Sequence, residues 1–99
     1  MIIVAGHFVV DPDQREEFLR SRAEGMRASR AEPGCITYAF SPDPLDPGRV
    51  LLFERWESKE ALARHLAGLR ERPRPQDGIE VRESELQQYE ISATGPVGS

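Results

Sequence analysis

The chain has 99 residues, of which 38% are hydrophobic and 30% are charged, a composition typical of one small globular domain. Its formal net charge of -4 argues against a nucleic-acid-binding surface, because no basic stripe stands out against the acidic balance. The single cysteine, Cys35, excludes an internal disulfide and a cysteine metal cluster, and it fits a reducing, cytoplasmic location.

The first third of the chain predicts a strand followed by a helix. Residues 2–10 alternate and are rich in β-branched side chains, which favours a core strand over a signal peptide or a membrane span. Asp11 and Pro12 form a helix start signal, and the apolar spacing continues the helix to about Ala31. The Glu-Pro-Gly segment at 32–34 ends it.

The rest of the chain predicts three strands and one further helix, which Ser58 is placed to cap. We take residues 1–93 as one domain and residues 94–99 as a flexible C-terminal tail. The predicted segments are strands at 36–41, 49–57 and 79–91, a helix from 58 to about 69, and an irregular connection at 70–78.

The order of these elements predicts a ferredoxin-like βαββαβ fold of the α+β class, with a four-stranded antiparallel sheet and two helices on one face. In the third strand Val50 and Leu52 point to one face, while Leu51 and Phe53 point to the other. Both faces are therefore apolar, but two helices cover only one of them. An uncovered apolar face on the order of several hundred Å² indicates an interaction surface, so we expect a homodimer joined through the sheet.

Trp56 and His65 are the strongest candidates for a site. Trp56 ends the third strand and His65 lies on the leucine stripe of the next helix, so both come to the same end of the fold. Trp56 is interpreted either as a core residue with a satisfied indole N–H or as a pocket wall. His65 is interpreted as a hydrogen-bonded core residue, a proton acceptor or a haem ligand. His7 joins them only if its side of the first strand faces the helices.

Other side chains are placed to contact a ligand. The Tyr38 hydroxyl is a candidate donor at a pocket mouth, and Arg22 interrupts the apolar face of the first helix, where it reaches either solvent or an anionic substrate. The arginines at 70, 72 and 74 are interpreted as a solvated connection or a lid. The apolar residues expected to complete the substrate-binding set are Phe53, Leu62 and Leu66.

Familiar motifs for bound groups are missing from the sequence. It contains no glycine-rich nucleotide loop, no phosphate-cradling loop and no zinc helix motif. Two histidines without a matching carboxylate cluster make a poor metal site. We therefore expect no metal and no cofactor.

Three segments resemble the antibiotic biosynthesis monooxygenase (ABM) domain, in its quinol-monooxygenase-like branch: residues 32–38 (EPGCITY), 53–58 (FERWES) and 61–66 (ALARHL). The resemblance implies a dimeric α+β barrel with a pocket between sheet and helices in each subunit. Members of this family include oxygenases that act on hydroquinones and polycyclic phenols without metal, flavin or haem, and a related branch degrades haem. The resemblance therefore implies an oxygenase activity of this kind. Trp56 matches the family's pocket tryptophan and His65 the helix histidine after it.

The chain departs from the family pattern at two places. Arg70 stands where many quinone-related members carry a second histidine, and the later histidine of the haem-degrading branch is absent. His7 occupies a strand position where some members place a polar residue.

Together these features predict a cytoplasmic, cofactor-independent monooxygenase that oxidises a small phenol or hydroquinone-type aromatic with dioxygen. His7 or His65 would be the base, Trp56 would stack the ring, and Tyr38 or Arg22 would orient a substrate oxygen. One alternative is a non-catalytic dimeric barrel that binds a hydrophobic metabolite or a protein partner. A third is haem binding or degradation. No nucleic-acid or membrane partner is expected.

Overall fold

One antiparallel sheet organises the protein, whose computed structural model describes residues 1–75 and 77–99. The strands run in the spatial order β2–β3–β1–β4, so the two middle strands are not adjacent in the chain. This is the ferredoxin-like α+β arrangement that the element order predicted. The strands are β1 (Ile2–Val9), β2 (Cys35–Pro42), β3 (Arg49–Trp56) and β4 (Glu83–Glu90).

Helices cover one face of the sheet. The predicted first helix is two helices, α1 (Arg15–Ser21) and α2 (Ala23–Arg30), preceded by a 3-10 turn at Pro12–Gln14. The interruption lies at Arg22, whose backbone N–H bonds the Leu19 carbonyl three residues back, so the chain tightens there. The second predicted helix is α3 (Lys59–Glu71).

The start signals read from the sequence are present as hydrogen bonds. The Asp11 carboxylate accepts the Asp13 backbone N–H at 2.9 Å, and the Ser58 hydroxyl accepts the Ala61 backbone N–H at 3.1 Å. Gly34, at φ 85°, turns the chain between α2 and β2. A Cβ there would lie 2.6 Å from the Ala61 Cβ, so only glycine allows α3 to approach this turn closely.

The last strand is shorter than the predicted segment 79–91. β1 ends at Val9, opposite Glu83, and the chain then leaves the sheet for the turn at Pro12. Residues 79–82 therefore lie beyond the end of their partner strand, and their contact with it is the hydrogen bond from the Arg82 N–H to the Val9 carbonyl.

Alternation along β3 separates the two faces of the sheet. Val50, Leu52 and Trp56 are buried under the helices, whereas Leu51 and Phe53 are 38% and 40% exposed on the opposite face. We call the latter the open face; its residues on the central strands also include Ala5 and His7 of β1.

Two apolar clusters make up the core on the helix side of the sheet. They share half-buried Phe8 and Phe40, which pack against both. The buried cluster members are Ile2, Tyr38, Leu52, Trp56, Ala61 and Leu62 in one group, and Val10, Phe18 and Val50 in the other.

No helix among residues 1–75 and 77–99 combines the length and the apolar character needed to cross a bilayer.

Candidate active site

A cavity of about 830 Å³ lies between the sheet and helices α2 and α3. It exists because α3 lies over β3 and leaves β4 uncovered, so that every residue of β4 is exposed. A volume of this size accommodates a ligand of several fused or linked rings. The apolar part of its lining comprises Val4, Phe8, Phe40, Leu52, Leu62, Leu66, Leu69 and Leu86.

Glu54 and His65 bring ionisable groups into this apolar wall. Glu54 is 5% exposed and His65 is 1% exposed, and the Glu54 Oε1 atom lies 3.9 Å from the His65 Nε2 atom. Burial raises the pKa of the Glu54 carboxyl above its ordinary value of 4.5, while the hydrogen bond from Trp56 and the nearby His65 oppose that rise. A carboxyl group with a raised pKa beside an imidazole is suited to accepting a proton from a bound ligand.

Trp56 supports this pair from behind rather than lining the cavity. Its side chain is completely buried, and its indole N–H donates to the Glu54 Oε1 atom at 2.9 Å. Its ring lies 4.6 Å from the imidazole of His65, measured between centroids. Its burial is what the core interpretation expects, and Trp56 is not among the residues that line the cavity. Its partner is a carboxylate, so it also acts on the electrostatics of the site.

A second carboxylate, Glu32, holds the other nitrogen of His65. The His65 Nδ1 atom lies 3.0 Å from the Glu32 Oε2 atom, and the remaining oxygen of Glu32 accepts a hydrogen bond from the Arg72 guanidinium. Because a carboxylate accepts hydrogen bonds, this contact favours the tautomer with the proton on Nδ1, in which Nε2 presents its lone pair toward Glu54.

Tyr38 closes the same corner of the cavity. Its ring meets the His65 ring edge to face, with centroids 5.3 Å apart. Burial, with Glu54 as the next cause, raises the pKa of the Tyr38 hydroxyl to about 12. The phenol therefore stays protonated near neutral pH and can donate a hydrogen bond to a ligand oxygen.

Arg22 lines the cavity, but its charge is engaged. The Arg22 Nη1 atom lies 2.9 Å from the Asp77 Oδ2 atom and 2.8 Å from the Ser21 hydroxyl. The same guanidinium lies over the Phe18 ring, 4.0 Å from its centroid. Arg22 thus ties the connection after α3 to the break between α1 and α2.

The segment predicted as a basic connection contributes to the cavity. Arg72, Pro73, Arg74 and Pro75 all lie in the cavity wall, whereas Arg70 belongs to the last turn of α3. Arg72 is held by Glu32 and is not a free solvated charge.

His7 and Phe53 lie on the open face and do not line the cavity. On β1 it is Ile2 and Val4 that pack toward the helices, so His7 points away from them, in register with Leu51 of β3. Alternation tells which residues share a face but leaves undecided which face the helices cover. The structure brings Tyr38, Arg22, Leu62, Leu66 and His65 together around the cavity.

Glu54 and Glu32 were missed in the sequence analysis. Glu54 had a readable signal, because it alternates with Leu52 and Trp56 and an acid on a buried face requires a partner or a role. Glu32 had none, since it lies 33 residues before His65 and beside a turn.

One further group of donors among the described residues could hold a cation. His7, Glu83 and Glu85 lie on the open face, and their ligand atoms all fall within 4.8 Å of one another. Both glutamates are exposed. This group is on the other side of the sheet from the cavity.

The fold and the cavity define a small ferredoxin-like α+β protein with a candidate site between sheet and helices. The antibiotic biosynthesis monooxygenase family model matches residues 1–69. The chain therefore belongs to the antibiotic biosynthesis monooxygenase family, as the three sequence segments predicted.

A solved structure shows the same fold at low sequence identity, and two further relatives match this chain in sequence. A solved structure from Deinococcus radiodurans, described as a suspected antibiotic biosynthesis monooxygenase, superposes with a TM-score of 0.76 at 19% identity and covers 100% of both chains. The uncharacterized protein sll1783 of Synechocystis is 42% identical over 64 residues, which are 65% of this chain but 44% of sll1783. YcnE of Bacillus subtilis, named as a suspected monooxygenase, is 29% identical over 65 residues, 66% of this chain and 68% of YcnE.

Proposed function

We propose that this protein is a cofactor-independent monooxygenase that oxidises a phenol or hydroquinone-type aromatic with dioxygen. The observation that carries the proposal is the pair Glu54 and His65, buried in the wall of a largely apolar cavity of about 830 Å³. An apolar cavity selects an aromatic ring, and the buried pair supplies a base where water is scarce.

The spacing of the pair suits one substrate hydroxyl. An oxygen atom at a hydrogen-bonding distance of about 2.8 Å from both Glu54 Oε1 and His65 Nε2 fits the 3.9 Å between those atoms. In this arrangement the hydroxyl proton passes to the pair, leaving a phenolate. We expect the neutral hydroxyl of Tyr38, a residue of the same cavity wall, to donate to the oxygen of that phenolate or of a neighbouring carbonyl.

Deprotonation makes the ring a good electron donor to dioxygen. The phenolate gives one electron to dioxygen, and the resulting superoxide joins a ring carbon that still carries hydrogen, forming a hydroperoxide after the proton returns. Loss of water from that hydroperoxide breaks the O–O bond and leaves a carbonyl at that carbon. One oxygen atom thus enters the product, the other leaves as water, and the substrate supplies both electron pairs.

The remaining cavity residues position the substrate and do not transfer protons. Leu62 and Leu66 of α3 pack against the ring and exclude water from the radical pair. Arg22 fixes the rim through Asp77, because its guanidinium is already paired.

We further propose that the protein works as a homodimer in the cytoplasm. The open face carries Leu51, Phe53 and Tyr89, which are 38%, 40% and 47% exposed. A second copy is the occupant that covers the same apolar face on both molecules at once. Sedimentation of the Phe53→Glu variant as a monomer supports this assembly, and an unchanged mass argues for another surface.

Oxygen uptake with a panel of hydroquinones and anthrones tests the function. Glu54→Gln keeps the size of the side chain and an acceptor for Trp56 but removes the base, so we expect kcat to fall by about a hundredfold or more. Glu60→Gln, an exposed acid of α3, is the matched control and keeps wild-type uptake.

Three other results would redirect the assignment. Saturable ligand binding without oxygen uptake supports a non-catalytic binding barrel. A Soret band on adding haem, lost in His65→Ala, supports haem handling. Wild-type uptake by Glu54→Gln and by His65→Ala contradicts the role of the pair as the base.

A further inference from the structure

We propose that Glu32 is a positioning residue that orients His65 and provides the route by which the substrate proton leaves the cavity for solvent. This inference rests on the proposed function. It adds a role for a residue outside the cavity, and it assigns the protein a directed proton path from Glu54 and His65 through Glu32.

The orientation follows from the two hydrogen bonds of Glu32. Its Oε2 atom lies 3.0 Å from His65 Nδ1, and its Oε1 atom accepts from the guanidinium of Arg72. With both carboxylate oxygens engaged, the Glu32 side chain has little freedom to rotate. His65 is therefore fixed with Nδ1–H outward and the Nε2 lone pair toward Glu54.

A gradient of exposure gives the path its direction. The side chain of Glu54 is 7% exposed and that of His65 is 1% exposed, whereas the side chain of Glu32 is 20% exposed. A proton taken up at His65 Nε2 makes an imidazolium, and the proton on Nδ1 then passes to Glu32 Oε2. From Glu32 the proton reaches water; the hydrogen on Nε2 then passes to the peroxide anion, and Nδ1 regains a proton from water through Glu32, which restores the starting tautomer without rotation of the ring.

The charges around His65 favour this transfer. Glu32 stands on the turn after α2 and Glu54 on β3, so carboxylates face both ring nitrogens. Arg72, at the end of α3, is the one cation that contacts this group among the described residues, and it touches Glu32 rather than the imidazole. Of the titratable groups on β2, Tyr38 packs its ring edge on His65, and the Cys35 thiol lies within electrostatic range of Glu32 and Glu54. Carboxylates thus face the imidazole on two sides, and the Arg72 guanidinium binds the outer oxygen of Glu32.

Trp56 provides a readout that does not depend on turnover. It is the only tryptophan, and its ring centroid lies 4.6 Å from that of His65. A protonated imidazole quenches the fluorescence of a neighbouring indole, and the Glu54 carboxyl bonded to the indole also affects its emission. The emission of the variants below is therefore compared in a Glu54→Gln background, where the pH midpoint reports the charge of His65 in the ligand-free protein.

The variant Glu32→Gln tests the proposal. Removing one carboxylate from the imidazolium moves the emission midpoint to lower pH, by about one unit, since a hydrogen bond to a charged group is commonly worth that much. Arg72→Gln removes the cation and moves the midpoint to higher pH, which keeps the test informative if Glu32→Gln does not fold. Glu60→Gln leaves the midpoint unchanged.

Kinetics separate the role of Glu32 from that of the cavity. We expect kcat of Glu32→Gln to fall by about tenfold or more while KM changes little, because Glu32 is not part of the cavity lining. An emission midpoint that does not move in either variant overturns the proposal, whatever the activity. A moved midpoint in a protein that consumes no oxygen retains the coupling of Glu32 and His65 but refutes the monooxygenase assignment.

Discussion

Replacing Trp56 by phenylalanine tests how the buried carboxyl of Glu54 is held. The change removes the indole N–H that donates to Glu54 Oε1 at 2.9 Å, at a site where both residues are almost inaccessible to water. Loss of a buried hydrogen bond to an ionised group costs about 1.5 to 3 kcal/mol of unfolding free energy. The smaller ring adds about 1 to 2 kcal/mol through lost packing.

The first of these two losses depends on pH. Burial raises the pKa of Glu54 in the folded protein, and the Trp56 N–H opposes that rise because it favours the ionised form. In Trp56→Phe the folded pKa therefore lies higher still, so the variant loses stability as pH rises through the region where Glu54 ionises. Below the unfolded value of 4.5 the carboxyl is protonated in both states, and only the packing loss and a weaker neutral hydrogen bond remain.

Urea unfolding followed by circular dichroism measures this difference at a fixed protein concentration. We expect Trp56→Phe to be destabilised by about 3 to 5 kcal/mol near pH 8 and by about 1 to 2 kcal/mol near pH 4. The matched background is Glu54→Gln, in which the cost of Trp56→Phe no longer changes with pH. An equal loss at both pH values in the wild-type background refutes the reasoning, since the indole then does not stabilise an ionised carboxyl.

Two further predictions concern the frame around the site. Gly6→Ala would place a Cβ 1.9 Å from the Glu85 carbonyl oxygen. We therefore expect the β1–β4 pairing to fail, with a loss of about 3 kcal/mol or more of unfolding free energy in urea. The contrasting variant Gly25→Ala has open space around its Cβ and should stabilise α2 by about 0.5 to 1 kcal/mol. Hydrogen bonds from the Ser21 hydroxyl and the Ile79 N–H, with Arg22, lower the pKa of Asp77 below its ordinary 3.8. Asp77→Asn should therefore cost about 1 to 2 kcal/mol near neutral pH, and the difference from wild type should shrink as pH falls below 3.8 and vanish only below the lowered pKa of the folded protein; a difference that does not shrink in acid contradicts this account.

Much of the fold could be predicted from the chain because its signals are local. The Asp11 and Ser58 caps, the Glu-Pro-Gly stop and the alternation of β3 each depend on neighbouring residues, and each is present in the structure. The break at Arg22 was not predicted, since the helical spacing continues through it. The length of β4 was overestimated because it depends on where its partner β1 ends.

The candidate site was predictable only in part. Trp56 and His65 were brought together by their positions at one strand end and the next helix, which is again a local relation. The partners that define their chemistry come from tertiary contacts, since Glu32 is 33 residues from His65 and the side of β1 that carries His7 depends on how the helices pack.

The source of the oxygen atom in the product tests the central claim most directly. The wild-type protein is incubated with an anthrone under isotopically labelled dioxygen in ordinary water, and the product is analysed by mass spectrometry. The account predicts a carbonyl product that carries one labelled oxygen atom, formed much more slowly by Glu54→Gln than by Glu60→Gln. An unlabelled product, or labelled product formed equally fast by both variants, contradicts it.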